Sequence, residues 1–202
     1  MKIFGDMISP FVRMCHVTVH EVGLGTKITA AAARVVPTEP SKELSAHSPL
    51  GRIPVLVTDH GHAIYDSRVI IEYLCHVAGD KALLPDDGVK RFRILTLQAI
   101  GQGLAETAVA HRYEHAFRPA GSQWPEWIAR QEQRMSAVFD ELQSNWMPDL
   151  GQASAGTICA AAALGYIDFR LPDINWREGR PALAAWHKAF SERPSMVATK
   201  LG

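Results

Sequence analysis

Three short segments near the start of the chain hold residue types that could do chemistry together. The first is Met7-Ile8-Ser9-Pro10-Phe11-Val12-Arg13. Pro10 suits the first position of a helix, and Ser9 suits the cap before it. Free backbone N–H groups and the helix dipole favour an anion at such a place. A thiolate held there would have a lowered pKa, and the Ser9 hydroxyl could donate one hydrogen bond to it. The plain alternative is that Ser9 only caps the helix. The second segment is Gly51-Arg52-Ile53-Pro54-Val55-Leu56. A proline here either begins a strand in trans or carries a cis bond. A cis bond would turn the Ile53 backbone outward to pair with an extended peptide, as in strand addition. The third is Tyr65-Asp66-Ser67-Arg68 at the head of an apolar-periodic stretch. Asp66 could face an ammonium, and the Ser67 hydroxyl with nearby N–H groups could hold a carboxylate. Together they match the zwitterionic end of an amino acid. A plain cap is again the alternative.

Other constellations are weaker. His16 and His20 stand four apart, as do His111 and His115, but no Glu lies between them in a metalloprotease arrangement and no third ligand is evident. No metal site is expected. Cys15 lies about a turn and a half along the first helix from Ser9 and reads as packing.

These segments must be positioned by a scaffold, and the pattern changes character midway. Lys2 to Gly5 reads as a strand, Pro10 to Val22 as a helix, and Ile28 to Val36 as a strand. Residues 37–49 read as a loop. Pro54 to Thr58 and His62 to Tyr65 read as strands around a tight turn, and Asp66 to Ala78 as a helix. Residues 79–88 form a linker between a domain at 1–78 and another at 89–202. Beyond it, helices are expected at Arg91 to His115, Trp124 to Trp146, Ile158 to Leu171 and Pro181 to Phe190. The helix from Ile158 is apolar nearly all round, which suits the centre of a helical domain.

Composition excludes several classes. There are 21 basic and 21 acidic residues in 202, so the net formal charge is zero. The balance is even on both sides of Asp80, which argues against nucleic acid as a partner. Three scattered cysteines make no disulfide framework, so a reducing, cytoplasmic setting is expected. The first residues lack a secretory pattern, and no stretch is long and apolar enough to suggest a membrane span.

In this order, SPFVRM, GRIPVL, YDSRVIIEYL and the linker ALLP resemble the glutathione S-transferase superfamily. ALGYIDFRLP (Ala163 to Pro172) is similar to the central helix of a bacterial group within it. The resemblance implies an α/β thioredoxin-like N-terminal domain (βαβ-ββα), an all-α C-terminal domain and a homodimer. It implies transfer of the glutathione thiolate to a hydrophobic electrophile, with glutathione as co-substrate and no further cofactor. Ser9 would donate to the glutathione sulfur, with Phe11 beside it. Ile53 would pair its backbone with the cysteinyl part, Pro54 would be cis, and Asp66 and Ser67 would hold the γ-glutamyl end. Arg52, with His47 or Lys42, would approach the glycyl carboxylate. Met7, Phe11, His111, Tyr113 and Phe117 would line the electrophile pocket.

Three departures from the family pattern are visible. Phe4-Gly5-Asp6-Met7 carries no tyrosine, and Ser9 stands where other members have cysteine. Ser154-Ala-Gly-Thr157 replaces the acid of a capping box with a hydroxyl, from which a weaker cap is expected. A serine hydrogen bond to a thiolate would contribute about 1–3 kcal/mol, or about one to two pKa units. A binding or regulatory protein with little turnover therefore stays open, as does a glutathione-dependent isomerase, dehalogenase or peroxidase.

Overall fold

The computed structural model describes residues 1–201. Its first part contains β1 (Lys2–Phe4), α1 (Pro10–Glu21), β2 (Thr29–Ala31), α2 (Lys42–Ser45), β3 (Val55–Val57), β4 (Ala63–Ile64) and α3 (Ser67–Ala78). The sheet order is β2-β1-β3-β4, with β1 parallel to β2 and antiparallel to β3, and β3 antiparallel to β4. This is the thioredoxin-like arrangement, followed by an all-helical part. The latter holds α4 (Gly88–Phe117), α5 (Pro125–Glu141), α6 (Ala155–Arg170), α7 (Pro181–Ser191) and α8 (Pro194–Ala198).

The apolar periodicity explains the long elements. In α4 the side chains of Ile94, Leu97, Leu104 and Ala108 are buried, as their spacing requires. In α6 nearly every residue from Ala155 to Leu164 is buried, including four consecutive alanines, Ala160 to Ala163. Small side chains let α4 and α6 pack closely. An added Cβ at Gly101 of α4 would lie 2.5 Å from the Ala160 nitrogen, and one at Gly156 of α6 would lie 2.7 Å from Leu97 Cβ. Residues 94–97 therefore meet residue 156, and residue 101 meets 159–160, so the two helices run parallel.

Four expectations are corrected. The strand predicted over 28–36 shrinks to Thr29–Ala31, because this is an edge strand and its alanines offer little side-chain packing across the sheet. The loop over 37–49 contains one turn of helix, α2, where the Ser41 hydroxyl accepts from Leu44 N–H and Leu44 is buried with Phe4, Ala33 and Val55. One turn gives no periodicity to read. The helix predicted to reach Trp146 ends as α-helix at Glu141. Residues Leu142–Trp146 form a wider π turn in which Leu142 and Trp146 are buried. The weak cap expected at Ser154 is instead a complete capping box: Ser154 Oγ accepts from Thr157 N–H at 3.1 Å, and Thr157 Oγ1 accepts from Ser154 N–H at 2.7 Å. A threonine hydroxyl reaches the same donor that an acid would.

The short helix α8 lies outside the predicted elements. It is tied to α1 through Glu21, which accepts from Arg193 at 2.9 and 2.7 Å and from the Ser195 hydroxyl. No helix among the described residues is long and apolar enough to cross a membrane.

Candidate functional site

The three segments converge at one end of the sheet, the edge formed by the C-terminal ends of β1 and β4 and the start of β3. Pairing of Phe4 with Val55 brings the end of β1 beside the Ile53-Pro54 turn. A Cβ at Gly5 would lie 3.3 Å from Ile53 Cβ and 2.4 Å from Val12 Cγ2, and Gly5 has φ +151°. Only glycine fits between the strand end, the turn and α1, which is why no bulkier residue occupies that position. Pairing of Leu56 with Ile64 carries β4 to the same edge, where Asp66 begins α3.

Ser9 has the extended backbone of an N-cap (φ −66°, ψ 125°), yet its side chain makes no capping hydrogen bond. The loop before it is held by Asp6, which accepts from Ile8 N–H through its carboxylate and from Ser9 N–H through its carbonyl, each at 2.9 Å. Pro10 has no N–H, and Arg13 N–H bonds to Ser9 O. The Phe11 and Val12 N–H groups find no acceptor among the described residues. A hydroxyl and two N–H groups therefore stand uncommitted at the start of α1, where the dipole favours negative charge.

The Ile53-Pro54 bond is cis, and the Ile53 N–H and C=O join no hydrogen bond among the described residues. The Tyr65-Asp66 bond is also cis. Asp66 is exposed, and its Oδ1 accepts from Arg68 N–H at 2.9 Å. Ser67 differs from what its type suggested. It is 2% exposed, and its hydroxyl is engaged by Gln102 of α4, whose amide donates to it at 3.0 Å. The Ser67 and Val69 N–H groups are left uncommitted at the head of α3. Gln102 escaped the sequence reading. Its signal was present: Gln98 and Gln102, four apart, are polar positions on an otherwise apolar helix face.

Arg52 is exposed near this edge, Lys42 lies on α2, and the His47 ring packs 4.9 Å from that of Phe4. Met7 and Phe11 are half-buried. Tyr113 is half-buried, with its ring edge-on to exposed Phe117 at 5.2 Å. His111 does not join them. It is buried and its Nε2 lies 3.0 Å from Glu132 on α5, because it continues the core face of Leu104 and Ala108.

Cys15 is wholly buried, with its thiol pKa pushed well up by desolvation, so it packs rather than reacts. His16 is buried and His20 exposed, and no group of three potential metal ligands occurs among the described residues.

Residues 8–77 match the family description "Glutathione S-transferase, N-terminal domain", and residues 125–189 match "Glutathione S-transferase, C-terminal domain". The chain is similar to a glutathione transferase family member from Pseudomonas fluorescens Pf-5 solved with bound glutathione. The identity is 38%, the TM-score 0.97, and 100% of this chain and 98% of that one are covered. A second structure described for that source, at 36% identity, TM-score 0.92 and full coverage of both chains, holds S-(propanoic acid)-glutathione. An uncharacterised protein of Escherichia coli K12, described as GST-like, is 29% identical over 99% of this chain and 98% of its own length.

Proposed function

Because the chain belongs to the glutathione S-transferase family, we propose that it binds glutathione at the sheet edge and transfers its thiolate to a small hydrophobic electrophile. The observation that carries this reading is the uncommitted Ser9 hydroxyl at the start of α1. Glutathione lies extended, with its cysteinyl backbone paired to the Ile53 N–H and C=O. The γ-glutamyl ammonium faces the Asp66 carboxylate, and its carboxylate faces the Ser67 and Val69 N–H groups. Arg52, with Lys42 and His47 behind it, faces the glycyl end. The sulfur then meets the Ser9 hydroxyl and the N–H groups of Phe11 and Val12. These stabilise the thiolate over the thiol and lower its pKa. The electrophile approaches along Met7, Phe11, Tyr113 and Phe117, which exclude water from the reacting sulfur.

The test is thiolate absorbance of bound glutathione against pH, in the native protein and in Ser9→Ala. The native site lowers the thiol pKa, and Ser9→Ala raises it back by about one to two units while glutathione still binds. A bound thiol as weakly acidic as the free one would leave a glutathione-binding protein without this chemistry. The same reading includes pairing of two copies across α3 and the start of α4, supported by exposed Val69, Val77, Val89 and Phe92 there. Light scattering at micromolar concentration checks it, with Phe92→Glu expected to give monomers.

A further inference from the structure

The packing directions define which groups face the sulfur. Helix α6 runs parallel to α4, as the contacts at Gly101 and Gly156 require. It runs antiparallel to α1: Cys15 lies near Cys159, whereas Arg13 reaches Gly165, where an added Cβ would stand 2.6 Å from its Nη1. Moving along α1 toward Ser9 therefore means moving along α6 toward Tyr166 and Arg170, and along α4 toward Arg112 and Tyr113. Those ends of α4 and α6 therefore lie on the side of the bundle toward which α1 begins at Ser9.

The groups gathered there are unusual for a pocket meant only for apolar molecules. Tyr166 is 4% exposed, yet its hydroxyl makes no hydrogen bond within the described chain and is not sealed from solvent. Burial and the neighbouring Tyr113 phenol push its pKa up to about 12, against the pull of Arg170 and Arg112 close by. It stays a hydrogen-bond donor at any ordinary pH. Arg112 and Arg170 are both half-buried, and neither joins an ion pair among the described residues. The acids two residues from each are committed elsewhere. Glu114 pairs with Arg118 at 2.7 Å, and Asp168 pairs with Arg177 at 2.6 Å and accepts from Trp176 Nε1 at 2.8 Å. The Arg170 guanidinium lies 4.8 Å from the ring centre of Phe169. Two half-buried guanidinium groups without an acidic partner, on the helix ends that carry two phenols, bring positive potential to that end of the bundle.

We propose that Arg112 and Arg170, with the phenols of Tyr113 and Tyr166, select among small hydrophobic electrophiles one whose apolar body also carries a carboxylate. The assignment rests on the glutathione-binding reading above and adds the chemical class of the second substrate. A fork of N–H donors from arginine suits a carboxylate, and the phenols donate to the same oxygens.

Binding of three ligands by calorimetry tests it: glutathione, S-(2-carboxyethyl)glutathione and its neutral carboxamide analogue. The native protein is expected to bind the acid about tenfold more tightly than the amide. In Arg112→Gln and Arg170→Gln the acid-to-amide ratio falls, and in the double variant it approaches one. Lys188→Gln, which removes an exposed charge on α7, leaves the ratio as in the native protein. Equal binding of acid and amide by a native protein that binds glutathione overturns this assignment and leaves the glutathione reading standing. A ratio that survives the double variant overturns it as well. Failure to bind glutathione itself removes both readings.

Discussion

Replacing Gly101 by alanine isolates how closely α4 and α6 must approach. The new Cβ would lie 2.5 Å from the Ala160 nitrogen, 2.6 Å from the Cys159 carbonyl carbon and 2.8 Å from Cys159 Cβ. Non-bonded carbon contacts are comfortable at about 3.5–4.0 Å, so the helices must part by about 1 Å. Two of the three opposing atoms belong to the backbone of α6, so no side-chain rotation relieves the contact. Overpacking of this kind costs about 1–3 kcal/mol. Alanine also favours a helix over glycine by about 1 kcal/mol, which offsets part of the loss. Gly103, two residues along the same helix, supplies the control, because a Cβ there meets nothing within 4 Å. Gly103→Ala should therefore be stabilising by about 0.5–1 kcal/mol. Gly101→Ala should fall below the native protein by up to about 2 kcal/mol, or up to about 8 °C in Tm for a chain of this size, and below Gly103→Ala by about 1–3 kcal/mol. Urea unfolding of both variants reads the difference directly, with helix propensity cancelled between them. If both alanines stabilise equally, the close approach of α4 and α6 is wrong, and with it the placement of Tyr113 and Tyr166 at one end of the cleft.

Three more outcomes follow from contacts away from the sulfur. Gln102→Leu leaves the buried Ser67 hydroxyl without its partner and should cost about 1–3 kcal/mol; adding Ser67→Ala should recover part of that, a coupling of about 1 kcal/mol in a double-mutant cycle. Glu21 is held below the usual carboxylate range first by its hydrogen bond to Arg193, with Ser195 adding to it and burial opposing. Its contribution is thus fully present above its unfolded value of 4.5 and is lost as pH falls through the lower folded value; Glu21→Gln should cost about 1–2 kcal/mol at neutral pH and little in acid, read by melts at both. Burial pushes His187 and His16 below 6.5, the former against an opposing pull from Asp168. The unfolded chain then gains protons first as pH drops below 6.5, so stability falls there by at most about 1.4 kcal/mol per histidine per pH unit, and urea midpoints for His187→Gln should decline less steeply than for the native protein.

Much of the fold could be read along the chain because it rests on local rules. Pro10 after Ser9, the periodic apolar residues of α4 and the turn at His60-Gly61 each act within a few residues of themselves. The order of strands and helices, and the all-helical second part, follow from those patterns. Elements of little more than one turn could not be read this way. One turn of α2, the five residues of α8 and the π turn before Trp146 depend on Leu44 finding Phe4, on Glu21 meeting Arg193, and on burial of Trp146.

The candidate site divides along the same line. Residue types and spacing by themselves marked a hydroxyl, a proline turn and an acid-hydroxyl pair as candidates for an anion, an extended backbone and a zwitterion. They did not determine which of those groups remain free. Only the tertiary structure turned the Ser67 hydroxyl to Gln102, left that of Ser9 uncommitted, sent His111 to Glu132, and packed α4 against α6 so that the helix ends bearing Arg112, Tyr166 and Arg170 come together. The reason is physical: a side chain's chemistry is local, but its availability depends on neighbours that arrive from distant parts of the chain, and burial decides which of them must be satisfied within the protein.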